Sequence, residues 1–241
     1  MAHINGEPTV YEAAVQRMEG CETRHTYGYE MLARRRRHDG GFEAPGESMA
    51  LWTRSGDDLI DLDLHMARHI EPLLATLRPA RLFVNVSWAT LENEMAFDQW
   101  ATRVAGLADQ GTALIAEVCE LTALDNDLLA SRLRVLQRSQ VEVALDDFGR
   151  GRALLDRVRA FEWDYCKVPL RGFSSGQAQE LTRENAGRAK SFRIVCEEVE
   201  HLEDLELIAR LFGQNVVDAA QGYALHRPEV VATQQDNKRC A

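Results

Sequence analysis

The chain has 241 residues, 45% hydrophobic and 27% charged, with a formal net charge of -10. That balance excludes a chain disordered throughout, and the length fits either two small domains or one α/β barrel of roughly 250 residues. The negative charge excludes broad affinity for nucleic-acid polymers, whose phosphates need a basic footprint.

In chain order, Thr9 to Gln16 and Tyr27 to Leu32 predict short strands around the polar segment Glu19 to Thr26, an opening hairpin. From Ser48 the apolar spacing turns helical, through Met49, Leu51 and Trp52 and then Leu59, Ile60, Leu62, Leu64, Met66, Ile70 and Leu73. Pro72 predicts a helix end or kink and Pro79 the next junction. Leu82 to Val86 is the next strand, followed by a helix around Phe97, Trp100, Val104 and Leu107; Ala113 to Val118 repeats the plan. A helix carrying Leu128, Leu129, Leu133 and Leu136 leads to the strand from Val141 to Leu145. Beyond it come a helix through Leu154, Leu155, Val158 and Phe161, a strand at Tyr165 to Val168, and a helix near Gln179 to Lys190. A strand at Arg193 to Glu197, a helix through Leu202 to Leu211 stopped by Gly213, and a last strand at Asn215 to Ala219 complete the series.

Alternating strands and helices mean parallel pairing, since parallel neighbours need a crossover. With about eight strands, the first two antiparallel, and no Pro/Gly/Ser linker, the expected fold is α/β: one TIM-like (β/α)8 barrel over residues 1–241 with a frayed tail from about 232. An open doubly wound sheet is the alternative. The five cysteines form no C-x-x-C pair, which predicts free thiols in a reducing cytosol. A basic-then-apolar leader and an apolar run of about 20 residues are both absent from the sequence, so a cytoplasmic protein without a membrane span is expected.

Polar residues recur at the predicted strand ends: Glu30, Asn85, Glu117, Asp146 with Asp147, Lys167, Glu197, and Gln221 beyond the last. Singly, each has an ordinary explanation as a helix cap or a solvated charge. Collectively they would meet on one face of a barrel, where carboxylates and one amide oxygen are hard ligands suited to Mg2+ or Mn2+. Two such ions could polarise a phosphodiester and activate water near neutral pH. The run Arg34 to Arg37 offers local positive charge for an anionic ligand, although such runs are ordinarily solvated loop.

From Val10 through Pro228 the sequence resembles the EAL-domain family of cyclic di-GMP phosphodiesterases. The likeness is carried by Gly28-Tyr29-Glu30-Met31-Leu32-Ala33-Arg34, with Met31 in the usual alanine place, and by Phe83 to Ser87, Glu117 to Glu120 and Leu145 to Gly149. Asp164 with Lys167, Cys196 to Glu200, and Gln221-Gly222-Tyr223 carry the rest. The resemblance implies a barrel with an antiparallel first strand and hydrolysis of cyclic di-GMP to linear pGpG with two Mg2+ or Mn2+ ions. It implies Glu30, Asn85, Glu117, Asp146, Asp147 and Glu197 as metal-associated residues, with Lys167 and Glu197 managing the attacking water and its proton. Arg34 would contact phosphate, Gln221 would help complete the site, and Glu120 would brace the loop after Asp147. A homodimer and no membrane are further expectations.

The chain also departs from the family pattern. Arg150-Gly151-Arg152-Ala153 stands where relatives carry Thr or Ala, then Gly, Tyr and serine; Pro169 occupies a frequent aspartate place, and Glu198 replaces a glycine. Glu12-Ala13 stands for Gln-Pro, and the segment before Gln221 is long. Three readings remain open on these residues: an active phosphodiesterase, a degenerate cyclic di-GMP receptor or protein-interaction module with an unidentified partner, and another metal-dependent barrel hydrolase.

Overall fold

The computed structural model describes residues 2–4, 7–9, 11–37, 39–44, 56–108, 111–119, 124–150 and 154–231. The chain opens with a small antiparallel pair, β1 (Ala2–Ile4) and β2 (Glu7–Thr9), which the sequence reading did not anticipate. A long antiparallel hairpin follows, β3 (Tyr11–Gly20) and β4 (Thr26–Arg36), with the short β5 (Phe42–Glu43) paired back on β4. Then come α1 (Gly56–Ala67), α2 (Ile70–Leu77), β6 (Arg81–Asn85), α3 (Trp88–Glu92), α4 (Glu94–Ala105), β7 (Ala113–Cys119) and α5 (Asn126–Arg138). The second half runs β8 (Glu142–Asp146), α6 (Leu154–Ala160), β9 (Tyr165–Pro169), α7 (Ser175–Ala186), β10 (Arg193–Glu197), α8 (Asp204–Phe212), β11 (Ala219–Ala220) and β12 (Glu229–Val230).

Strands β4, β6, β7, β8, β9, β10 and β11 pair in parallel in that order, and β3 closes the ring by pairing antiparallel with both β11 and β4. The result is the expected eight-stranded barrel with an antiparallel first strand. Pro72 lies in the first turn of α2, where a backbone N–H has no intrahelical partner to lose, so it starts that helix and does not kink it. Met49, Leu51 and Trp52, predicted to begin a helix, lie outside the described residues.

Because side chains alternate along a strand, each barrel strand offers one face to the helices and one to the interior. The outer face packs with the helices into the main apolar core, which includes Leu82, Leu114, Val143, Cys166 and Ile194. The inner face forms a separate cluster of Met18, Phe83, Ile115, Ala144, Tyr165, Val195 and Ala219, one layer across the barrel. Below it, toward the strand N-termini, Arg81 and Arg193 lie 4.3 and 4.2 Å over the rings of Tyr27 and Tyr165, and the Tyr165 hydroxyl donates to Glu142 Oε2 at 3.1 Å. The bottom of the barrel is therefore plugged by paired charge and aromatic rings.

Candidate active site

Two residues beyond the apolar layer on each parallel strand, the inward face becomes polar. Phe83 leads to Asn85, Ile115 to Glu117, Ala144 to Asp146, Tyr165 to Lys167, Val195 to Glu197 and Ala219 to Gln221. Glu30 occupies the corresponding place on β4, next to Phe83 in register. On the antiparallel β3 the step runs backwards, from Met18 to Gln16, which sits opposite Glu30. A period of two thus turns scattered sequence positions into one ring.

Lys167 is the centre of that ring and is completely buried. Its Nζ lies 2.5 Å from Glu117 Oε1, 2.8 Å from Glu197 Oε1, 3.2 Å from Asp146 Oδ1 and 3.6 Å from Glu30 Oε2. A buried ammonium without partners would be prohibitively costly, so this side chain depends on its carboxylates. Burial works against its charge, yet Asp146, Glu117, Glu197 and Glu30 outweigh burial and hold its pKa well above the ordinary lysine value. The reverse holds for the acids. Burial pushes the carboxyls of Glu117 and Glu197 well above the usual range, and the nearby acids add to this against the pull of Lys167.

Glu30 accepts from Asn85 Nδ2 at 3.2 Å and from Gln221 Nε2 at 2.5 Å; the same Gln221 amide nitrogen donates to Gln16 Oε1 at 3.0 Å. Asn85 is free for this because Ser87, not Asn85, caps α3, accepting from the Thr90 N–H. Gln221 is held by its backbone, its N–H donating to Cys196 O and its carbonyl accepting from Val199 N. Gly222 allows that approach: a Cβ there would stand 2.1 Å from the Val199 carbonyl oxygen.

The turn after β8 is built similarly. Phe148 is buried and its N–H donates to Lys167 O at 3.0 Å, while Gly149 takes φ +111 with no room for a Cβ beside the Phe173 ring, at 2.7 Å. This turn carries Asp147 in the left-handed region, at φ 57. Asp147 is not among the ion-pair partners of Lys167: its Oδ1 meets Arg150 Nε at 2.9 Å and its Oδ2 lies 3.9 Å from Cys119 Sγ. Burial, then the Asp146 charge, push its pKa up despite Arg150.

A cavity of about 340 Å³ opens over the ring, lined among others by Glu30, Asp146, Asp147, Arg150, Glu197 and Tyr223. Arg34 stands four residues beyond Glu30 on β4, on the same face, and its Nη1 donates to the Ala33 carbonyl at 2.8 Å. It is not among the residues lining the cavity. Glu120 lies outside the described residues. Asp164, by contrast, serves the sheet: it accepts from Val143 N at 2.9 Å and pairs with Lys190 at 2.6 Å.

Four carboxylates share one ammonium around Lys167, a surplus of buried negative charge. Glu117 Oε2 and Gln221 Oε1 are buried with no hydrogen-bond partner among the described residues. Hard oxygen donors, surplus charge and open lone pairs fit a divalent cation of the Mg2+ or Mn2+ kind. The carboxylates are drawn onto Lys167 and not into a ready cage: among the described residues, no three His, Cys, Asp or Glu side chains are already grouped as a metal centre.

Sequence reading missed Gln16 and Cys119, named Tyr223 only as part of the closing motif and not as a residue lining the cavity, and treated Arg150 and Glu198 as separate changes. Gln16 was findable only by counting backwards along an antiparallel strand. The Arg150–Glu198 ion pair joins two loops 48 residues apart and leaves no local signal. Among the described residues Cys21, Cys119, Cys166 and Cys196 are not joined in disulfides, and no helix is long and apolar enough to cross a membrane.

Comparison with known proteins agrees with this architecture. The probable cyclic di-GMP phosphodiesterase PdeG of Escherichia coli K12 is 28% identical over 238 residues, covering 93% of this chain and 45% of that protein, so the chain spans less than half of its relative. Bacillus subtilis YkuI, with an EAL domain and in complex with cyclic di-GMP and calcium, superposes with a TM-score of 0.76 at 17% identity over 94% of this chain and 58% of that one. The FimX EAL domain from Pseudomonas aeruginosa bound to cyclic di-GMP gives 0.71 at 16% identity, covering 91% and 90%. Klebsiella pneumoniae BlrP1 with manganese and cyclic di-GMP gives 0.69 at 24%, covering 94% and 57%. These identities carry the fold alone. The EAL domain model itself matches residues 14–228, nearly the whole chain, and the chain therefore belongs to the EAL domain family.

Proposed function

We propose that this protein hydrolyses cyclic di-GMP to linear pGpG at the barrel mouth, with Mg2+ or Mn2+ as cofactor. The observation that carries the reading is the buried Lys167 surrounded by Glu30, Glu117, Asp146 and Glu197 beneath an open cavity. A buried ammonium has three N–H donors, and one positive charge offsets one carboxylate, so four surrounding carboxyl groups exceed what satisfying Lys167 requires. Divalent ions held by Glu30, Asn85, Glu117, Asp146 and Asp147 would supply Lewis-acid activation of water and neutralise the phosphodiester.

The chain's own residues divide the remaining work. Lys167 stays protonated, so it is a donor and a fixed positive charge: it orients the attacking water and stabilises charge growing on the phosphate oxygens. Glu197, which lines the cavity and lies 2.8 Å from Lys167 Nζ, is placed to accept the water proton when ionised. Attack of the water oxygen on phosphorus breaks the bond to one ribose 3′ oxygen, which leaves as the 3′-hydroxyl by taking a proton from solvent while Glu197 holds the one removed from the attacking water, and the ring opens to pGpG. Gln221 positions Glu30 through its amide nitrogen. Arg34 takes a phosphate by turning its guanidinium from the Ala33 carbonyl toward the mouth, a forked donor suited to an oxyanion.

A second reading, a receptor that binds cyclic di-GMP without cleaving it, is favoured by one observation: Asp147 is already paired with Arg150. Incubating the protein with cyclic di-GMP and Mg2+ or Mn2+ separates the two. Appearance of pGpG that stops on chelation supports hydrolysis; binding without product supports the receptor. A homodimer goes with either reading and is checked by light scattering.

A further inference from the structure

Around Lys167 buried carboxylate and amide oxygens are left open, but both oxygens of Asp147 are engaged. The main partner is Arg150, whose Nε is 2.9 Å from Asp147 Oδ1 and whose Nη2 pairs with Glu198 Oε1. One guanidinium thereby ties the loop after β8 to the loop after β10, across the cavity that Asp147, Arg150 and Glu198 all line. The backbone reinforces the near end, with the Arg150 N–H donating to Asp147 O at 3.2 Å.

Both anchors are backbone-strained. Asp147 has φ 57 and Glu198 has φ 61, a left-handed conformation that costs any residue with a Cβ. A pair of side chains held there by a shared planar cation is a built arrangement, since a forked guanidinium can serve two carboxylates at once. Arg150 and Glu198 are also two of the positions at which the sequence departs from the family pattern, and they face each other.

We propose that Arg150 acts as a resident cation: by bridging Asp147 to Glu198 it occupies the carboxylate oxygen that a divalent ion would use, so an ion on the Asp147 side binds only after Arg150 lets go. The proposal rests on the metal-binding reading of the mouth. It makes the two ion positions unequal, one on the open oxygens around Glu30, Glu117 and Asp146, the other in competition with an internal charge.

The test is calorimetric titration of the full chain with Mn2+ alone, without dinucleotide. Arg150→Ala, and Arg150→Gln, which keeps much of the side-chain length, should both tighten the weaker ion by up to about fivefold, the scale of one partly exposed charge contact. The stronger ion should shift less than the weaker one. Adding Asp147→Asn to Arg150→Ala should abolish the gain. Circular dichroism checks that each variant is folded, and the half-exposed position of Arg150 gives it little role in the core. Equal affinities in parent and Arg150 variants overturn the proposal, as does a gain that survives loss of the Asp147 charge, which would be diffuse electrostatics. Absence of Mn2+ binding in the parent and every variant would instead reject the metal reading underneath it.

Discussion

Lys167 shows how a single residue can hold a site together before any ion arrives. Its ammonium is the one positive charge within contact of Glu30, Glu117, Asp146 and Glu197 among the described ion pairs. Replacing it with methionine, which fills similar space without charge, leaves those acids unopposed. Removing one partner of a buried ionic group typically costs about 3–5 kcal/mol, and a loss of that order is expected for Lys167→Met in chelator. Mn2+ should recover more stability in the variant than in the parent, because the ion then supplies the missing positive charge and binding to the folded state stabilises it. Urea unfolding with and without Mn2+ measures this; an identical response to Mn2+ in both proteins would remove Lys167 from the cation site.

At the scale of elements, the ring depends on loops and helices that keep the strand ends in place. Asp63 on α1 receives the Ser87 N–H at 2.8 Å and the hydroxyls of Ser87 and Thr90, each at 2.6 Å, all on Oδ2, and so ties α1 to the start of α3 just beyond Asn85. It is buried, and burial pushes its pKa up to about 6 against those hydrogen bonds. A carboxyl with a raised folded-state pKa favours the fold at low pH and loses that contribution as pH climbs through the folded value. Over two units this amounts to about 3 kcal/mol. Asp63→Asn keeps an acceptor oxygen and has no proton to lose. Its stability relative to the parent should therefore rise between pH 4 and pH 7 by about that amount, and parallel pH curves for the two proteins would contradict it.

Elements also show where sequence reading succeeds and stops. The strand at Arg193–Glu197 was legible to the residue, because a short apolar run between turn residues is a strong local signal. The last strand was expected at Asn215 to Ala219 and lies instead at Ala219–Ala220. Asn215 adopts a left-handed φ of 64, and Asp218 uses its own carboxylate to accept the Ile194 N–H at 2.8 Å, doing the work of a ladder carbonyl. Apolar Val216 and Val217 imitate a strand there but pack into the core from a loop. The first strand was expected to end at Gln16 and runs on to Gly20, since Arg17 and Glu19 resemble turn residues although they alternate with buried Met18 and Gly20.

For the whole molecule, alternation of strand and helix made the barrel legible, and with it the convergence of strand ends. Sequence alone could not show which oxygens Lys167 would occupy, nor that Asp147 would turn toward Arg150; both are set by contacts between distant loops. The central claim is that the polar ring at the mouth performs metal-dependent cleavage. Glu30→Ala tests it most directly, because Glu30 connects Asn85, Gln221 and Lys167 while contributing nothing to the apolar core. Release of pGpG from cyclic di-GMP in Mn2+ is followed for parent and variant, beside circular dichroism. The expected result is turnover by the parent, a loss of roughly a hundredfold or more in the variant, as removal of a metal-associated residue entails, and an unchanged spectrum. Parent-like turnover by folded Glu30→Ala would contradict the account.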